Sequence, residues 1–191
     1  MFFQGNDPVH RTMQRVVERL EAAKIPYAIV GGMAVNAHCH QRTTGHVDFL
    51  LTPEGFDAFV QTFVGPEFQR MKGWPRRFLD PTTDATFDIL IAGRFPGSGK
   101  PGPIAFPDPA TVAQTIRGQR VIALPKLIEL KLAARRHKDF GDVVELIRVH
   151  HLDEKYVDQL HPSVRPDFIE CLEEKRREDE YLRREAESEG P

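Results

Sequence analysis

The chain has 191 residues, of which 28% are charged and 40% apolar, with a formal net charge of −2 at pH 7. That balance excludes fibrous and collagen-like classes and gives no global attraction to nucleic acid or membrane, so any polyanion site must be local. Two cysteines, Cys39 and Cys171, are too few for a disulfide framework or a four-cysteine zinc site. No segment approaches the roughly 20 apolar residues of a membrane helix. The N-terminal MFFQGNDPVH has neither the basic region nor the apolar run of a signal peptide. A cytoplasmic protein with no membrane partner is expected.

The elements follow from local pattern. From Pro8 to Lys24, Val9, Met13, Val16, Val17 and Leu20 fall at helical spacing, with Asp7 as N-cap before Pro8. Tyr27-Ala28-Ile29-Val30 is a short apolar run ended by Gly31-Gly32, which suits a strand buried on both faces. Met33 to His40 is predicted as a short helix. Val47, Phe49 and Leu51 alternate with Asp48 and Leu50, a strand with two unlike faces. Thr52-Pro53-Glu54 opens a helix carrying Phe56, Phe59, Val60 and Phe63.

Residues 66–82 read as irregular hairpin material, and Thr86 to Ile91 as a strong strand. The seventeen residues from Gly93 to Pro109 include nine Pro or Gly and predict a long loop. Arg120 to Leu124 reads as one more strand. Helices follow at Pro125 to Arg136, Asp139 to Val149 and about Pro166 to Glu187. The order predicts an α/β (α+β) mixed sheet flanked by helices, with a charged helical C-terminal extension. The expected division is 1–150 for the main domain and 151–191 for the extension.

Two strand carboxylates stand out. Asp88 lies within Phe87-Asp88-Ile89-Leu90-Ile91, where a charge is costly unless a cation or several donors compensate it. A salt bridge to an Arg or Lys is the ordinary solution for one such residue. Asp48 poses the same problem one strand earlier, and two carboxylates on candidate neighbouring strands suit a shared hard cation such as Mg²⁺. Strand positions i and i+2 share a face, and here they hold His46 and Asp48. Imidazole adds no negative charge and is a softer ligand than a carboxylate. The Gly31-Gly32 turn between strand and helix lets a phosphate approach backbone amides closely. A plain tight turn is the other reading.

These residues, in this order, resemble the nucleotidyltransferase fold of the DNA polymerase beta superfamily, and most closely its small bacterial members of the abortive-infection toxin type. Ile29-Val30-Gly31-Gly32 corresponds to the strand and glycine turn of that family. Arg42, Thr44 and Asp48 fit three of four fixed positions in its Arg-x-Thr-x-Asp-x-Asp run, and Asp88 fits the third carboxylate. Leu130-Lys131-Leu132 with Arg136, Lys138, Asp139 and Asp142 is similar to its helical segment near the nucleotide phosphates. The likeness runs from about Ala22 to Val149.

The resemblance implies an NTP partner, Mg²⁺ or Mn²⁺, and transfer of a nucleoside monophosphate to a hydroxyl acceptor on RNA, a protein or a small molecule. Asp48 and Asp88 would be catalytic and would hold metal together with His46. Gly31, Gly32, Arg42, Thr44, Lys131 and Lys138 would contact the nucleotide. One departure is specific: His46 stands where the family has the first carboxylate of its pair. That leaves a second expectation open, a catalytically impaired fold relative serving as a nucleotide-binding or protein-interaction module, with an antitoxin-like partner.

Other patterns carry less. Gly97-Ser98-Gly99-Lys100 lacks the first glycine and the Ser/Thr of a P-loop, because Arg94 and Pro101 occupy those places. It reads as a surface loop or a lid over a substrate. His38, Cys39 and His40 are consecutive and cannot converge on one metal from a helix. The run from Glu173 to Glu180 mixes both signs and predicts a solvated helix that packs by its first turns only.

Overall fold

A computed structural model describes residues 7–38 and 43–188. Its first helix, α1 (Pro8–Ala22), is capped by Asp7, whose carboxylate accepts from the Val9 and His10 amides. Strand β1 (Tyr27–Val30) is buried throughout and runs directly into α2 (Gly31–Ala37). The predicted helix start at Met33 is therefore two residues late. Gly31 takes φ +61° at the turn, which lets the helix begin at once.

Strand β2 (His46–Leu51), helix α3 (Pro53–Phe63), strand β3 (Gln69–Arg70) and strand β4 (Arg77–Asp80) follow. The stretch read as irregular thus pairs as a short antiparallel hairpin, with Arg70 opposite Phe78. Strand β5 (Ala85–Ile91) then leads through the long loop to α4 (Pro109–Val112). Strands β6 (Ala113–Ile116) and β7 (Gln119–Ile122) form a second hairpin. The first of them carries no apolar alternation and was not predicted. Its signal is the Arg117-Gly118 pair, both at positive φ, as a two-residue primed turn requires.

The seven strands form one mixed sheet in the order β3-β4-β5-β2-β1-β7-β6. β2 runs parallel to β5 and β1 parallel to β7, and the other pairs are antiparallel. One face of the sheet carries Phe49, Phe78 and Phe87, which meet Phe59 of α3 and Phe68 in a ring cluster with centroids 5.1–6.1 Å apart. Such pairs add about 0.5–1.5 kcal/mol each beyond area burial. α1 and α3 pack on this side of β2 and β5. Toward the other face lie α2, α5 (Leu124–Ala134) and α6 (His137–His150).

The last helix, α7 (Arg165–Ser188), packs on α6 and buries Phe168, Cys171 and Leu172 in the same core as the sheet. Apolar docking is confined to these first turns, since Tyr181 and Leu182 are exposed, while Arg148 of α6 reaches Glu178 and Asp179 farther along. Among the described residues, no helix is long and apolar enough to cross a membrane.

His38 ties this half of the molecule together. Its Nε2 donates to the Ile122 carbonyl of β7 at 2.9 Å, and its own carbonyl accepts from His150 Nε2 of α6 at 2.9 Å. Burial holds the His38 imidazole below its ordinary pKa, and nearby His150 adds to that. The native state therefore binds fewer protons than the unfolded chain, so His38 stabilises fully above about pH 6.5 and loses that contribution as pH falls toward its lowered value. Wild-type urea midpoints should fall between pH 7.5 and 5.5. His38→Gln should cost about 1–3 kcal/mol at pH 7.5 through disruption of the buried hydrogen bond to Ile122, with the gap narrowing at pH 5.5. A gap that widens on acidification would show that His38 is protonated in the fold.

Candidate active site

Strand register alone brings the predicted carboxylates together. Asp48 of β2 lies directly opposite Asp88 of β5 in a parallel pair, and His46 shares the face of Asp48 two residues earlier. Ligand atoms of His46, Asp48 and Asp88 all lie within 4.8 Å of one another, and all three side chains are half-buried. His46 Nε2 is 3.6 Å from Asp48 Oδ1 and 3.9 Å from Asp88 Oδ2. The Asp48 carboxylate raises the His46 imidazole above its ordinary pKa against the lowering by burial, and Asp88 adds to the rise.

The same row extends to both neighbouring strands. Val30 of β1 is opposite Asp48, which puts Gly31 over the Asp48 carboxylate. A Cβ on Gly31 would stand 1.9 Å from Asp48 Oδ2, so no other residue fits beside that carboxylate as it is placed. On the far side, Arg77 of β4 is opposite Asp88. Arg77 Nε donates to Asp88 Oδ1 and Nη2 to Oδ2, both at 2.7 Å. The ordinary solution for a strand Asp and the metal-site arrangement are thus both present at Asp88. Arg77 escaped the sequence reading because residues 66–82 showed no period. The cation that a buried Asp88 demands was the one available signal.

These groups form the floor of a cavity of about 420 Å³. Its walls include Gly31, Gly32 and Thr44, the Leu127, Leu130 and Lys131 face of α5, and Arg136 and Lys138. The segment Phe95 to Gly99 closes one side, which is where the loop reading with its lid variant places the glycine-serine stretch. There Gly97 has φ +67°, and a Cβ on it would meet the Ala134 carbonyl oxygen at 2.8 Å. That contact seats the loop on the end of α5.

The remaining predicted residues are placed as follows. The Thr44 hydroxyl donates to the His46 carbonyl at 2.9 Å, holding the chain that enters β2. Lys138 is exposed at the cavity rim. Lys131 is buried, and its Nζ donates to Asp139 Oδ1 at 3.1 Å and Asp142 Oδ2 at 2.6 Å. Arg136 reaches the other Asp139 oxygen at 2.5 Å. Arg42, Cys39 and His40 lie outside the described residues. His38 points to β7, away from the carboxylate cluster.

The donor set fits a divalent cation: two carboxylates and one imidazole nitrogen within reach of a single centre. The imidazole nitrogen makes the set softer than an all-carboxylate site, shifting its preference from Mg²⁺ toward softer divalent ions.

Fold and site together define an α/β arrangement with a mixed sheet, flanking helices and strand carboxylates beside a glycine turn. No protein-family model matches the chain, and no curated protein does. Among solved structures, the chain is similar to ANT(2″)-Ia in complex with adenylyl-2″-tobramycin, at TM-score 0.49 and 16% identity over 84% of this chain and 96% of that one. It is also similar to JHP933 from Helicobacter pylori, at TM-score 0.47 and 14% identity over 79% of this chain and 70% of that one.

Two substitutions separate site from scaffold. Gly31→Ala combines a left-handed backbone, costing about 1–2 kcal/mol, with displacement of Asp48. It should lower the thermal midpoint by roughly 2–8 °C and weaken Mn²⁺ binding, measured by calorimetry. Unchanged Mn²⁺ affinity would show that Asp48 does not need its present position. Lys131→Met takes the shared cation away from two buried carboxylates, Asp139 keeping Arg136, and should cost about 3–5 kcal/mol in urea unfolding. A cost below about 1 kcal/mol would free Lys131 for a role at the cavity instead.

Proposed function

We propose that this protein transfers a nucleoside monophosphate from a nucleoside triphosphate to a hydroxyl acceptor, using a divalent cation, Mg²⁺ or Mn²⁺. The observation that carries this reading is the convergence of His46, Asp48 and Asp88 at the floor of a cavity whose rim holds Arg76, Arg136 and Lys138. Anionic floor and cationic rim are what a metal-bound polyphosphate requires.

In this reading Asp48, Asp88 and His46 hold the cation, which when bound would withdraw charge from the triphosphate and polarise the acceptor oxygen. The Gly31-Gly32 turn admits phosphate oxygens because no Cβ at Gly31 blocks the approach. Asp88 is the group placed to take the acceptor proton. Arg77 occupies one lone-pair direction on each Asp88 oxygen and leaves others open. The acceptor oxygen bonds to the α-phosphorus, the bond from that phosphorus to the bridging oxygen breaks, and pyrophosphate leaves. Lys138 and Arg136 at the rim, with Arg42 by its sequence position, stabilise the charge that develops on the leaving phosphates. Lys131 acts through Asp139, which also lines the cavity.

A specific observation favours a second reading. His46 supplies no negative charge and Arg77 already neutralises Asp88, which suits a nucleotide-binding relative with impaired catalysis. His46→Asp separates the two: transfer activity that emerges only in the variant would establish the impaired reading. The acceptor class (RNA, protein or small molecule) and an antitoxin-like partner follow from the sequence resemblance, and the cytoplasmic location from the low cysteine count.

Calorimetric titration of ATP, GTP, CTP and UTP with Mg²⁺ and with Mn²⁺ tests the proposal. At least one nucleotide should bind in a metal-dependent way. Asp48→Asn should weaken that binding roughly 100-fold, the effect of about 2–3 kcal/mol of charge-assisted interaction. Absence of binding by all four nucleotides under both metals would remove the transferase reading.

A further inference from the structure

Arg77 is held on both sides. One edge of its guanidinium grips both oxygens of Asp88, and its Cζ lies 4.7 Å from the centre of the Trp74 ring. The β4–β5 register fixes the pair, since Arg77 and Asp88 are Cα partners across the ladder. Two of five guanidinium N–H groups serve Asp88, so others remain for an anion in the cavity that Arg77 lines.

Charge decides how many cations such a floor accepts. Asp48 and Asp88 supply two negative charges and Arg77 returns one positive charge, a sum of −1 with His46 neutral. One divalent cation reverses that sum to +1. With no further carboxylate among the described residues of the cluster, a second would have only nucleotide oxygens as ligands, where the free edge of the Arg77 guanidinium competes for the same phosphates. The position that could have supplied a further carboxylate is His46.

We infer that Arg77 takes the place of a second cation: its guanidinium stays on Asp88 and presents positive charge to the nucleotide phosphates, and the site works with one divalent ion held by His46, Asp48 and Asp88. The inference rests on the nucleotidyltransferase reading. It assigns Arg77 a role that a mere structural salt bridge would not have, because it fixes a metal stoichiometry.

Native mass spectrometry of the full chain with Mn²⁺ and α,β-methylene ATP counts the ions directly. The wild type should carry one Mn²⁺ per nucleotide-bound chain. Arg77→Gln, with folding checked by circular dichroism, should admit a second, and Arg77→Lys should restore the count to one. Two ions in the wild type, or one in Arg77→Gln, would overturn the inference. If Arg77→Gln does not fold, the wild-type count still decides it. Failure of the analogue to bind any form is a different result, since it would remove the nucleotidyltransferase reading along with the inference.

Discussion

One register holds the site together. Val30, Asp48, Asp88 and Arg77 lie in a single row across β1, β2, β5 and β4, each the Cα partner of the next. Because side chains alternate along a strand, a slip of one residue in any of these ladders would turn a carboxylate into the phenylalanine cluster on the other face. The burial of Phe49, Phe78 and Phe87 on that face is therefore what aims Asp48, Asp88 and Arg77 at the cavity. Core packing and site geometry are two consequences of one pairing.

The row also explains why the anions are tolerable. Each carboxylate is half-buried rather than fully enclosed, and each has something positive or hydrogen-rich beside it. Asp88 has the bidentate Arg77, and Asp48 has His46 on one side and the Gly31 turn on the other. Removing a partner from such an arrangement costs more than the pair contributes, because the remaining charge is left poorly solvated. The buried set of Lys131, Asp139 and Asp142 obeys the same rule at the junction of α5 and α6. It fixes the helix wall against which the Gly97 loop rests.

How much of this was legible in the sequence varied with the kind of signal. The β1–Gly31–α2 turn, β2 and β5 could be read because apolar runs interrupted by lone carboxylates admit few explanations. Pairing of β2 with β5 could not be read, since register depends on tertiary context, yet it is what sets Asp48 opposite Asp88. Arg77 was hidden for a related reason: β3 and β4 are two and four residues long, too short to show a period. Lys131 reads as a helix-face cation near phosphates, and it does line the cavity wall. Its burial against Asp139 and Asp142 depends on how the two predicted helices pack, which the linear sequence does not show.

His46 is where the competing functional readings meet. A carboxylate there would have given the floor three negative charges, and Arg77 would then offset only one of them. With imidazole, the floor is poorer by one charge while Arg77 still sits on Asp88, so two features of this chain shift the balance in the same direction. A nucleotide-binding relative without catalysis would use the Gly31 turn and the cationic rim as an enzyme would, so these features do not divide the two readings. What divides them is the floor itself: one guanidinium on Asp88, one imidazole at His46, and the number of divalent ions that this charge can hold.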